Sequence, residues 1–156
     1  MKVFVQLFSN NILIAAVLSN IFAQLLKVGI EYFAEKKWEW SLFFSTGGNP
    51  SSHTSTVTTL TILLGAKYGF DSPLFAIAFI FSAVVIVDAL SVRQEVGKHS
   101  KAMNEIFFET SLGKRLRDTF DIDLFRELMG HSGPEVFLGF LIGLGVAILD
   151  IIFFLK

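Results

Sequence analysis

Pro73-Leu74-Phe75-Ala76-Ile77-Ala78-Phe79-Ile80-Phe81-Ser82-Ala83-Val84-Val85-Ile86-Val87-Asp88-Ala89-Leu90-Ser91-Val92 is apolar almost throughout, with one acidic group near its end. At 1.5 Å per residue such a helix is about 30 Å long, the thickness of a bilayer's hydrocarbon core. It is apolar on every side, which points to lipid as its solvent. The rest of the 156-residue chain agrees: 53% of residues are hydrophobic, 18 are Phe, and mean hydropathy is +0.61, while the charges collect in connecting segments.

Upstream, residues 12–33 form an apolar run that carries Gln24 and Lys27 well inside it. A polar connector with Trp38 and Trp40 follows, a composition suited to the headgroup level. Gly47-Gly48-Asn49-Pro50 then marks a tight loop, with Asn49 expected to cap a helix and Pro50 to occupy its first position. That helix, about Ser51 to Tyr68, begins rich in Thr and ends at Gly69-Phe70-Asp71-Ser72-Pro73, a turn short enough to make the next helix antiparallel. Downstream, Pro134 to Leu155 is a fourth span, and Gly139-x-x-x-Gly143 permits close helix packing there. Between the third and fourth spans, Gln94–Gly133 is polar and is expected to form amphipathic interfacial helices. The expected fold is all-α: a polytopic membrane helix bundle of about four transmembrane helices. Residues 1–156 read as a single integral membrane domain.

Net charge is −1, from 13 basic and 14 acidic residues, so no general positive field invites nucleic acid. The absence of cysteine excludes disulfides, thiolate catalysis and Cys-based metal sites. Lys2 and the following apolar run resemble a signal peptide, but Asn10 and Asn11 interrupt the run and no small-residue cleavage pattern follows, so the segment reads as retained. By antiparallel crossings, nine basic residues share the face of the 34–52 connector and the 93–133 segment, against three on the other. The positive-inside rule makes the nine-residue face cytoplasmic and puts both termini outside.

That face also gathers the polar residues the membrane would otherwise disfavour. An ionisable group inside a span costs roughly 2.5–3.5 kcal/mol on insertion scales, so Lys27 and Asp88 need partners or a wet cavity. Ser51, Ser52 and His53 open a helix whose unpaired N–H groups and dipole suit an anion. His131 precedes another helix start, where Ser132 and Glu135 have capping-box spacing. Arg93 can grip two phosphate oxygens through its planar fork. At about 100° per residue Arg93, Gly97 and Asn104 share one helix stripe, and His99 points away from it.

With these motifs in view, the chain resembles the divergent branch of the type 2 phosphatidic acid phosphatase (PAP2) superfamily, small bacterial and plastid membrane proteins. The resemblance is carried by Gln24 to Lys27, Gly47 to His53, Asp88-Ala89 with Val92-Arg93, Gly97, Asn104, Glu127 to His131, and Glu135-Val136. It implies metal-free hydrolysis of a lipid phosphomonoester or diphosphate, through attack of one histidine on phosphorus and protonation of the leaving oxygen by another. Lys27, Ser51, Ser52 and Arg93 would bind phosphate and His53 would be the general acid. For the nucleophile, His99 has the broader superfamily's spacing from Arg93 but lacks its following Asp, Met103 standing there. His131 matches the branch's recurrent second histidine and is the favoured candidate, oriented by Glu127, Glu135 or Asp88.

The chain departs from the branch at Asn49, Ser91 and Gly133, where Met, Gly and Pro are typical. No cofactor is expected, but Asp88, Asn104, Glu127 and Glu135 offer oxygen ligands for a divalent cation such as Mg2+ as an alternative. The implied partners are a membrane lipid substrate and the bilayer of the bacterial inner membrane, with a homo-oligomer left open. Phosphatidylglycerophosphate, phosphatidate and polyprenyl phosphates all fit as substrates. A non-catalytic binder or carrier of phosphorylated lipids would use the same pocket, and a structural reading would pair Lys27, Asp88 and Arg93 among themselves.

Overall fold

A computed structural model describes residues 2–45, 47–120, 123–125 and 130–155 of the chain. Helix α1 (Lys2–Phe8) leads into α2 (Asn11–Glu35), which Asn10 caps by accepting the Leu13 N–H. A short 3-10 turn, Trp40–Phe44, precedes α3 (Ser52–Tyr68). Helix α4 (Pro73–Val87) passes through a π-helical turn at Asp88–Val92 into α5 (Arg93–Asn104). A second π turn, Glu105–Glu109, precedes α6 (Ser111–Phe120), and α7 (Gly133–Phe153) completes the bundle.

Among the described residues three stretches are long and apolar enough to cross a membrane: Asn11–Glu35, Pro73–Glu109 and Gly133–Phe153. Their outer faces expose large apolar side chains such as Leu18, Ile80 and Ile152, as a lipid solvent requires. The protein is therefore an integral membrane protein. The second of the four expected spans, α3, does not meet the same measure. It has 17 residues, and Ser52, Thr54, Ser55, Thr58, Thr59 and Thr61 are all buried along it.

The reason is its position. Helix α3 packs against α2, α4 and α7, so helices rather than lipid surround it. Its hydroxyls find partners within the bundle: Thr59 Oγ1 donates to the Ser55 and Gly143 carbonyls, Thr61 Oγ1 meets Ser82 Oγ at 2.7 Å, and Ser55 pairs with Ser19. Interhelical bonds of this kind contribute on average about 0.6 kcal/mol each in a membrane protein.

The same contacts fix the directions. Ser19 and Asn20 meet Ser55 and Thr56, while Ile12 and Ala15 join Leu63, so α2 runs antiparallel to α3. The contact of Thr61 with Ser82 and the short 69–72 turn make α4 antiparallel as well. Helix α7 runs parallel to α3. A Cβ at Gly139 would collide with the Ser51 carbonyl oxygen, and one at Gly143 with that of Ser55. The two glycines thus bring the backbones together and level the N-termini of α3 and α7 at one end of the bundle.

Candidate functional site

The loop entering α3 is shaped around Lys27. Gly48 has φ +88°, a left-handed conformation that favours glycine, and its backbone lies against the stem of Lys27. Lys27 is 3% exposed, and its Nζ donates to the Ser45 carbonyl at 3.2 Å. The cap of α3 is Ser51, not Asn49, and the helix begins at Ser52, after Pro50. Ser51 Oγ accepts the Thr54 N–H at 3.3 Å, while the Ser51 N–H donates to the Glu135 carbonyl at 3.0 Å. The second bond explains the shift, since it commits Ser51 to α7 and holds it outside the helix. Ser51 and Ser52 are both buried beneath the loop.

Glu135 shapes the start of α7. Its Oε2 accepts the Ser132 N–H at 3.2 Å and lies 3.0 Å from His131 Nδ1. His131 is 1% exposed, its N–H donates to the Ala89 carbonyl at 2.9 Å, and its own carbonyl accepts Gln94 Nε2 at 2.6 Å. The π turn thus presents one carbonyl to the loop that carries His131, a use of local helix widening common at functional sites. Gly130 lets that loop approach, because a Cβ there would strike Gln94 and the Ala89 carbonyl.

The two histidines face each other, with ring centroids 6.2 Å apart. His131 Nε2 is buried with no hydrogen-bond partner among the described residues. Arg93, Lys27 and Asp88 all lie within electrostatic reach of His53, and Glu135 within reach of Lys27. Arg93 Nε binds Asp88 Oδ2 at 2.7 Å, an i to i+5 pair that the π turn brings into register. The Nη edge of Arg93, the one suited to two phosphate oxygens, makes no hydrogen bond among the described residues.

Lys27, Ser51, Ser52, His53, Asp88, Arg93, His131 and Glu135 are therefore brought to one end of the bundle. Three other candidates are placed differently. His99 is exposed, with Glu95 as its charged neighbour. Asn104 is buried about 16 Å along the helix from Arg93, where its amide clamps the Phe125 backbone by both N–H and carbonyl. Glu127 lies outside the described residues. Among the described residues no three His, Asp or Glu side chains gather as a metal-ligand group. Asp88 is committed to Arg93, and Glu135 to His131 and Ser132.

Gln94, the Ala89 carbonyl and Ser45 were not singled out in the sequence. A backbone carbonyl carries no side-chain signal, and Gln94 and Ser45 sit unmarked in polar stretches.

Residues 8–146 match a family model described as the Divergent PAP2 family. The chain is also 33% identical over 159 residues to "Uncharacterized membrane protein YuiD" of Bacillus subtilis (strain 168), an alignment covering 96% of this chain and 99% of that protein. No solved structure matches the chain.

Proposed function

The chain belongs to the divergent PAP2 family, and from that membership together with the geometry of the two histidines we propose that it is a lipid-phosphate phosphatase. The observation that carries the reading is the unpartnered Nε2 of His131 across a 6.2 Å ring-to-ring gap from His53. A phosphoryl group bridges such a gap with reacting atoms near the attack distance of about 3–3.5 Å.

In this mechanism Glu135 holds His131 Nδ1–H, so that Nε2 carries the lone pair. The Nε2–P bond forms as the ester P–O bond breaks, and His53 gives a proton to the leaving oxygen. Lys27, the Arg93 fork and the first N–H groups of α3 offset charge on the non-bridging oxygens. Water then attacks phosphorus, gives its proton to His53 and releases inorganic phosphate, which regenerates His131. No step requires a metal.

The test is phosphate release by purified protein in detergent from phosphatidate, phosphatidylglycerophosphate and polyprenyl phosphate, with and without a chelator. At least one lipid should be turned over, His53→Ala and His131→Ala should each abolish release, and chelation should leave it intact. Binding without release would favour a lipid-phosphate carrier, and loss on chelation would favour a divalent cation such as Mg2+.

The basic-residue count further supports a cytoplasmic site in the bacterial inner membrane. Single cysteines replacing Lys37 and Lys67 should react with impermeant reagents from the inside and the outside respectively, and the reverse labelling would invert this orientation.

A further inference from the structure

A cavity of about 280 Å³ lies between α4 and α7, bordered by Phe75, Phe79 and Ile86 of α4, Thr58 and Thr61 of α3, and Phe140 of α7. Helices α4 and α7 flank α3 without packing broadly against each other, which leaves the groove between them. Two of its hydroxyls are turned inward: Thr61 Oγ1 donates to the Val57 carbonyl at 2.8 Å, and Ser82 Oγ to that of Ala78 at 2.8 Å. Most of the remaining lining is hydrocarbon, from Ile62, Phe70, Phe75, Phe79, Ile86 and Phe140, which suits a hydrocarbon occupant rather than a sugar or a peptide.

Its position gives the occupant. On each helix the upper end of the groove lies about one turn from the histidine cluster. Ile86 is three residues before Ala89, whose carbonyl holds His131. Thr58 is four residues after Thr54, which bonds Ser51. Phe140 is five residues after Glu135, which holds His131 Nδ1. Below two cations suited to an anionic head, the apolar groove continues along α4 from Ile86 to Phe75, about 16 Å. Another cavity, about 360 Å³ between α2 and α7, sits at the opposite helix ends beside Asn11 and Phe153 and has no such continuity.

We propose that the α4–α7 groove takes one hydrocarbon chain of the phosphorylated lipid, entering sideways from the bilayer, an inference that rests on the cluster being a lipid-phosphate head-group site. A dry apolar cavity of about 150 Å³ holds one benzene ring, so this groove accommodates a chain segment of about a dozen carbons. A second acyl chain stays in the bilayer. The groove then selects on the chain nearest the phosphate and favours long-chain lipids over short-chain or soluble phosphomonoesters.

The test uses the full-length protein in phosphatidylcholine nanodiscs and a long-chain lysophosphatidate with a photoreactive diazirine at mid-chain. Cross-links should map to residues 75–86 of α4 and to the neighbourhood of Phe140. Ala83→Trp, which fills the groove, should lower labelling about tenfold, the loss of roughly two buried methylenes. Ile77→Trp, on the lipid-facing side, should not lower it. Phe140→Ala removes a wall without adding bulk and should reduce labelling in the same direction, which keeps the test valid if the Trp variant misfolds. In parallel, the ratio of long-chain to short-chain phosphate turnover should fall about tenfold in Ala83→Trp. Labelling spread over the outer face of α2, or unchanged in both groove variants, overturns the groove even if phosphate is released. Labelling confined to the groove with no release from any lipid keeps the groove and overturns the phosphatase.

Discussion

His131 Nδ1 lies 3.0 Å from Glu135 Oε2, and the same carboxylate oxygen accepts the Ser132 N–H that opens α7. One side chain thus caps a helix and orients the proposed nucleophile. Gln at this position keeps an oxygen for both contacts but loses the charge that stabilises the ring as phosphorus is attacked. Glu135→Gln should lower kcat about 10²-fold, within the usual range for groups assisting proton transfer, and leave KM and thermal stability nearly unchanged. Phosphate-release kinetics beside a melting curve in detergent check this; an unaltered kcat would remove the orienting role.

Arg93 and Asp88 are joined through Nε at 2.7 Å, with side chains 32% and 39% exposed. A pair this exposed contributes at most about 1 kcal/mol to stability, so its value lies in aiming the guanidinium. Arg93→Lys keeps the positive charge but loses the planar fork. Apparent KM should rise about tenfold, equivalent to about 1.4 kcal/mol, while the melting temperature stays close to that of the parent protein. A normal KM in the lysine variant would mean that point charge alone suffices.

How far these relationships could be read in advance depended on what surrounds each residue. Helix α4 was legible because lipid on its outer faces demands apolar side chains. Helix α3 reads as one of the four spans in the sequence, but helices enclose it and its buried hydroxyls bond to them, so it lacks the apolar outer face of the other three. The two histidine-bearing helix starts were legible from local capping chemistry, but the cap moved from Asn49 to Ser51 because of a bond to the Glu135 carbonyl 84 positions away, which no local pattern encodes. Helix phase set Arg93 and Asn104 on one stripe without measuring the rise between them, and that rise takes Asn104 to Phe125. The π turn that pairs Asp88 with Arg93 and offers the Ala89 carbonyl to His131 had no signature of its own.

The parallel contact of α3 with α7 depends on the absence of side chains. Gly143→Ala would drive a methyl group against the Ser55 carbonyl, backbone that cannot give way cheaply. The expected cost is about 1–3 kcal/mol of overpacking, seen as a lower melting temperature in detergent, with activity falling as the N-termini separate. Gly145→Ala meets nothing within 4 Å and should be neutral or slightly stabilising. Equal behaviour of the two variants would show that the close packing at Gly143 does not matter.

The two histidines should fail at different steps, which separates their roles better than loss of activity alone. An aryl phosphate with a good leaving group needs little protonation when the P–O bond breaks, so His53→Ala should still allow His131 to be phosphorylated. Without His53 to take the proton from water, the phosphoenzyme should then persist. His131→Ala should form none, because no other imidazole faces His53 within the described cluster. Rapid quenching at alkaline pH, where phosphohistidine survives, followed by mass spectrometry, reads both outcomes. A phosphate found on His53 in the His131 variant would exchange the two assignments, and one found on His99 would return that exposed residue to the reaction.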